Sequence, residues 1–121
     1  MTYPCDRVLV VDDDTDILDA LAQALREEGI QVHTAEGADA ALLDLQQGFL
    51  PDVVLTDLMM PGRSGEDLID DLRRNPATHD LAIVAMSANA ASLMRVRGKA
   101  NGELAKPFSL HTMDVMLASV C

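Results

Sequence analysis

The 121-residue chain has no tryptophan, one tyrosine and two phenylalanines, so aromatic residues make up only 2% of it. Its core therefore has to be assembled from Val, Leu, Ile, Ala and Met, a set that suits helices packed on a sheet. Basic residues are scarce as well: nine Lys and Arg stand against twenty Asp and Glu, for a formal charge of -11. Phosphate backbones and anionic lipids attract cations, so this balance argues against a nucleic-acid or membrane partner. Long apolar runs are missing; none approaches the roughly 20 residues needed to cross a bilayer. Met1-Thr2-Tyr3-Pro4 has no apolar segment behind it and does not read as a signal peptide. The two cysteines, Cys5 and Cys121, stand at opposite ends with no metal or redox spacing. They read as reduced thiols, and the chain as cytoplasmic.

What is present is enough apolar residue, 49%, to build a core, and a length that fits one domain spanning residues 1–121. Val8 to Val11 is a short β-branched run that stops at Asp12, as a strand buried on both faces does. From Thr15 to Glu28, Ile17, Leu18, Leu21 and Leu25 recur at helical spacing, and Gly29 stands where the helix should end. Ile30 to Thr34 reads as a second strand. Ala38, Ala41, Leu42 and Leu45 mark a second helix closed by Gly48. Asp52 to Thr56 is a third strand that stops at Asp57. Pro61, Gly62 and Gly65 then supply a loop before a third helix marked by Leu68, Ile69 and Leu72 and closed by Pro76. Leu81 to Met86 is a fourth strand ending at Ser87, about 90–97 a short helix, Leu104-Ala105 a fifth strand before Lys106, and 109–120 a last helix. Five strand–helix alternations imply an α/β fold: a parallel sheet with helices on both faces.

In such a sheet the carboxyl ends of the strands share one edge, where ligands bind. That edge collects Asp12, Asp13, Asp57, Ser87 and Lys106. Three neighbouring carboxylates repel, and a divalent cation is the natural counter-charge; an all-oxygen donor set points to Mg2+. With that charge neutralised, one carboxylate can attack phosphorus while the Lys106 ammonium shares the charge of the transferred group and Ser87 donates a hydrogen bond to it.

The segments VLVVDDD at 8–14, VVLTDLMMPGRSG at 53–65, MSA at 86–88 and KPF at 106–108 together resemble the response-regulator receiver domain of two-component signalling. The resemblance covers nearly the whole chain. It implies a flavodoxin-like, doubly wound (βα)5 fold with strand order 2-1-3-4-5. It also implies that Asp57 is the phosphoacceptor, that Asp12, Asp13, Asp57 and the Met59 backbone carbonyl hold magnesium, and that Lys106 and Ser87 contact the phosphoryl group. A histidine kinase or phosphotransfer protein is the implied donor. The implied output is a protein partner docking on the face made by the fourth helix, fifth strand and fifth helix. Such a domain is not an enzyme apart from phosphorylating and dephosphorylating itself. The family's Lys-Pro bond is cis, so a cis Lys106-Pro107 bond is expected, against about 5% of X-Pro bonds in general. Two features depart from the pattern: Glu103 stands where receivers commonly have an aromatic residue, and the stretch from Ser87 to Lys106 is short, which predicts a stunted fourth helix.

Plainer readings apply to the remaining polar residues. Asp14 and Asp16 are expected to be helix N-terminal charges rather than ligands. His33, His79 and His111 read as isolated surface imidazoles, Arg95, Arg97 and Lys99 as a solvated face, and Glu103 as exposed. Two competing functions remain. Asp12-x-Asp14-Thr15 after an apolar strand resembles the nucleophile motif of haloacid-dehalogenase-like phosphatases, in which Asp12 would be attacked and Asp57 left without a role. A metal-binding interaction module without phosphotransfer is the other.

Overall fold

A computed structural model describes residues 5–121. The chain alternates strictly between strand and helix: β1 Arg7–Val11, α1 Thr15–Glu27, β2 Gln31–Ala35, α2 Ala38–Gln46, β3 Val53–Asp57, α3 Gly65–Arg74, β4 Ala82–Ser87, α4 Ala90–Val96, β5 Gly102–Ala105 and α5 Leu110–Val120. The strands form one parallel sheet in the order β2-β1-β3-β4-β5. The expected α/β architecture and strand order are both observed. Among the described residues no helix is long and apolar enough to cross a membrane.

Because successive strand side chains point to opposite faces, each buried strand serves two cores. Val8, Val10, Val53, Leu55, Val84 and Met86 face α1 and α5, where they meet Leu18, Leu21, Leu25, Met113 and Leu117. Leu9, Val11, Val54, Ile83 and Ala85 face the other way, onto α2, α3 and α4 through Ala41, Leu68, Ile69, Leu72 and Leu93. Each fully buried Leu, Ile or Val contributes roughly 1.5–3 kcal/mol, so no aromatic anchor is needed.

The helix ends follow the local chemistry. The Asp14 carboxylate accepts from the backbone N–H groups of Asp16 (3.0 Å) and Ile17 (3.3 Å), capping α1 as expected. At the other end Ile30 N–H donates to Leu25 C=O and Gly29 N–H to Arg26 C=O, with Gly29 at φ +85°. The same pair of bonds closes α2, with Gly48 at φ +106°, where Phe49 N–H reaches Asp44 C=O and Gly48 N–H reaches Leu45 C=O. A reciprocal Ser64/Asp67 capping box starts α3. The helix α4 has seven residues, short as predicted.

Several plain readings need correction, because the fold supplies partners that the residues do not announce, some of them from distant parts of the chain. Cys5 and Cys121 are joined in a disulfide rather than separate thiols: the chain enters the sheet beside the end of α5, which brings their Cα atoms to 5.5 Å. His33 is not isolated; its Nδ1 lies 2.8 Å from the Asp44 carboxylate and its ring stacks on Phe49 at 3.6 Å. His79 meets the Pro76 carbonyl and Asp80. Glu103 is half-buried and takes a two-point hydrogen bond from Arg97, at 2.6 and 3.1 Å. Arg95 pairs with Glu66, and Lys99 with Asp70 and Glu66. The basic stretch after Ser92 is thus a web of ion pairs tying α4 to α3 and β5.

Candidate functional site

Each strand end delivers one group to the carboxyl edge of the sheet. Asp12 follows β1 directly and is fully buried; its Oδ1 accepts from the Asp14 N–H at 2.9 Å, while its own N–H donates to Ala35 C=O and holds β1 to β2. Asp13, next in the chain, points outward into solvent. Asp57 closes β3 and is only 7% exposed. The buried Thr56 hydroxyl donates to the Asp57 carbonyl, and Leu58 N–H continues the ladder to Met86 C=O, so the Asp57 main chain is fixed on both sides. Carboxylate oxygens of Asp12, Asp13 and Asp57 all lie within 4.8 Å of one another.

Lys106, just past β5, reaches back across the edge. Its Nζ donates to Asp12 Oδ2 at 2.8 Å and stands 3.6 Å from Asp57 Oδ1. Its backbone N–H bonds to the Ser87 carbonyl at 2.9 Å, and the following Lys106-Pro107 bond is cis, as expected. Ser87 ends β4, one residue past the register partner of Asp57, and its hydroxyl accepts from Asn89 N–H at 3.0 Å. All five predicted side-chain positions, 12, 13, 57, 87 and 106, therefore lie at the same edge. Met59, two residues past Asp57, is 60% exposed, and its backbone amide is one of the groups that favour the charged Asp57 carboxylate.

Charge is uncompensated here. Burial pushes the Asp57 carboxyl above the usual aspartate range, and the neighbouring Asp12 charge adds to the rise; Lys106 and the Met59 and Leu58 amides offset only part of it. For Lys106, burial works against the ammonium, yet the hydrogen bond to Asp12 and the charges of Asp57 and Asp12 hold its pKa above the ordinary value. Three carboxylates against one ammonium leave a negative pocket of oxygen donors. That donor set fits a hard divalent cation.

One contributor was not legible as such. Gly65, read as a turn former, opens α3 directly behind Asp57, and a Cβ at that position would collide with the main chain of Asp57 and Leu58. Its N–H also donates to the Leu58 carbonyl at 3.0 Å. Glycine is needed there for close approach, which a local turn pattern cannot reveal.

The fold and this edge define a phospho-accepting signalling domain of the flavodoxin-like class. The profile of the response regulator receiver domain matches residues 8–118, and the chain belongs to that family. It is 37% identical over 106 residues to the phosphate regulon transcriptional regulatory protein PhoB of Escherichia coli, covering 85% of this chain and 46% of PhoB. The PhoB of Rhizobium meliloti is 38% identical over the same shares. The chain thus spans about half the length of these curated relatives. Among solved structures, the response regulator TrrA of Thermotoga maritima, in complex with Mg2+ and BeF, superposes with a TM-score of 0.86 at 28% identity, covering 96% of this chain and 99% of that one. A chemotaxis response regulator of Vibrio cholerae gives 0.85 at 28%, covering 95% and 98%. Receiver domains are signalling domains and not enzymes in the usual sense. Family membership leaves the dehalogenase-like reading of Asp12 without support, and Asp57, idle in that reading, sits in the same pocket as Asp12.

Proposed function

We propose that Asp57 accepts a phosphoryl group from a histidine kinase or phosphotransfer protein, and that residues 1–121 make up one receiver unit in the cytoplasm. The observation that carries this is the convergence of three carboxylates within 4.8 Å of one another, with a lysine ammonium 3.6 Å from that of Asp57 and 2.8 Å from that of Asp12. A carboxylate oxygen of Asp57 attacks the phosphorus of a phosphohistidine, the P–N bond breaks, the imidazole leaves with a proton, and an acyl phosphate forms on Asp57. Lys106 is placed to share the charge spread over the phosphoryl oxygens, and the Ser87 hydroxyl to donate to one of them. Attack by water on the acyl phosphate returns Asp57 and inorganic phosphate, so the domain limits its own signal.

Asp12, Asp13, Asp57 and the Met59 carbonyl are the groups that would hold Mg2+, which supplies charge neutralisation when bound. Beside Lys106 lies an open, largely apolar depression of about 500 Å3 lined by Ile17, Leu21, Pro107, Phe108 and Leu110, a suitable seat for the protein that brings the phosphohistidine. Output goes to a protein partner at the α4–β5–α5 face, where Met94, Leu110 and Val115 are exposed. The acidic surface disfavours nucleic acid and anionic membrane at this domain.

The test is intact-mass analysis after mixing the protein with Mg2+ and a small acyl phosphate. One phosphoryl group on the wild type and none on Asp57→Asn is the expected result. An Asp57→Asn protein that still gains phosphate, or a wild type that binds Mg2+ and never gains it, overturns the proposal, the latter in favour of a metal-binding module.

A further inference from the structure

We infer that Cys5 and Cys121 form a reversible thiol–disulfide site, oxidised by a low-molecular-weight disulfide such as glutathione disulfide, that pins the end of α5 to the start of β1. The inference stands apart from the phosphoryl chemistry, which lies at the opposite edge of the sheet.

The two sulfurs differ in access, and the difference sets the order of events. Cys5 is 1% exposed and belongs to the core cluster of Val8, Leu25, Leu104 and Leu117, whereas Cys121 is exposed at the end of α5. An external disulfide reaches only Cys121. Its thiolate attacks one sulfur of the reagent, releases one small thiol and leaves a mixed disulfide at Cys121. Cys5 then loses its proton and attacks the Cys121 sulfur, releasing the second small thiol and closing the internal bond. Two cysteine thiols are oxidised and one reagent disulfide is reduced to two thiols, so atoms and electrons balance. The Cα separation of 5.5 Å is within the range a disulfide spans, so closure asks for no backbone displacement.

In the reduced state the Leu117 carbonyl oxygen, 3.7 Å from Cys5 Sγ, would be an acceptor for a thiol proton on that sulfur. The bond closes a loop across a sequence separation of 116 residues, so it constrains nearly the whole unfolded chain. Locally it fastens α5, whose inner face is held by Met113 and Leu117 and whose first turn follows Lys106-Pro107-Phe108. Oxidation therefore restrains the far end of a helix whose near end adjoins the candidate phosphorylation site.

The 121-residue protein is equilibrated across a series of glutathione and glutathione disulfide ratios, quenched with acid, denatured, alkylated and weighed. The expected result is a single transition from two alkylated cysteines to none, with the protein monomeric throughout. On oxidation the melting midpoint should rise by about 5 °C or more, and hydrogen exchange should slow over 113–120. Cys121→Ser, an exposed substitution, should show neither response. A glutathione adduct that persists on Cys121 while Cys5 is alkylated overturns the inference. So does a disulfide-linked dimer, or oxidised and reduced forms with the same midpoint and exchange.

Discussion

Two regions of this small domain are built from charged residues, and they are built oppositely. Around α4, Arg95, Arg97 and Lys99 meet Glu66, Glu103 and Asp70, three cations for three anions, all at the surface. At the carboxyl edge of the sheet, Asp12, Asp13 and Asp57 face, among the described residues, Lys106 alone, and two of the three carboxylates are buried. The first arrangement is balanced, and water screens what remains, so it holds elements together weakly. The second is left in debt by one cation or more, in a place where screening is poor. Balance serves the structure; imbalance creates a demand that a ligand can meet.

Substitutions at each region sharpen or break that contrast, beginning with the largest expected effect. Lys106→Ala should slow phosphorylation by a small acyl phosphate by about 10^2- to 10^3-fold, since it removes the ammonium that stands 3.6 Å from Asp57. Rates followed by intact mass at fixed donor decide this, and a loss under tenfold would put charge stabilisation elsewhere. Gly65→Ala, which drives a methyl into the Asp57 and Leu58 main chain, should lower stability by roughly 2–4 kcal/mol in urea unfolding. Gly37→Ala, with open space at its Cβ, is the control and should change far less.

Asp57→Asn should raise the urea midpoint of the metal-free protein at neutral pH. The Asp57 carboxyl titrates higher in the folded than in the unfolded chain, so the folded state binds its proton more tightly. Its contribution is present below the ordinary aspartate range and is lost as pH rises through the folded value. The advantage of Asn should therefore shrink on acidification, which urea midpoints across pH will show. It should shrink too on adding Mg2+, which relieves the same repulsion in the wild type. Arg97→Gln, at the balanced region, should leave the melting midpoint nearly unchanged, because its bond to Glu103 is exposed and salt-screened. A large fall there would mean that the α4 web matters to stability as much as the pocket does.

How much of this was legible in the sequence depends on the range of the interaction. Apolar runs ending in Asp12, Asp57, Ser87 and Lys106 mark where strands stop, and parallel strands put those stops at one edge, so the site residues emerged from local patterns and a rule of topology. Asp14 as a helix cap and Gly29 and Gly48 as helix stops are likewise short-range chemistry. The strand order came from the resemblance, since alternation alone does not fix it. What local patterns missed were pairings between distant segments. Cys5 meets Cys121 because the first strand and last helix are neighbours, and His33 meets Asp44 and Phe49 across β2 and α2. Asp52 receives the Asp6 and Arg7 amides where β1 begins, a contact no spacing announces. Gly65 was noticed for its flexibility, whereas its missing side chain is what lets α3 start against Asp57.

The most direct measurement is to locate the phosphoryl group itself. The protein is labelled with a small acyl phosphate in the presence or absence of Mg2+, the acyl phosphate is trapped by borohydride reduction, and the modified residue is identified by peptide mass spectrometry. The account predicts modification at Asp57 alone, and only with the divalent ion present. Reduction product at Asp12 or Asp13, or equal labelling of Asp57 after the metal is chelated, would contradict it.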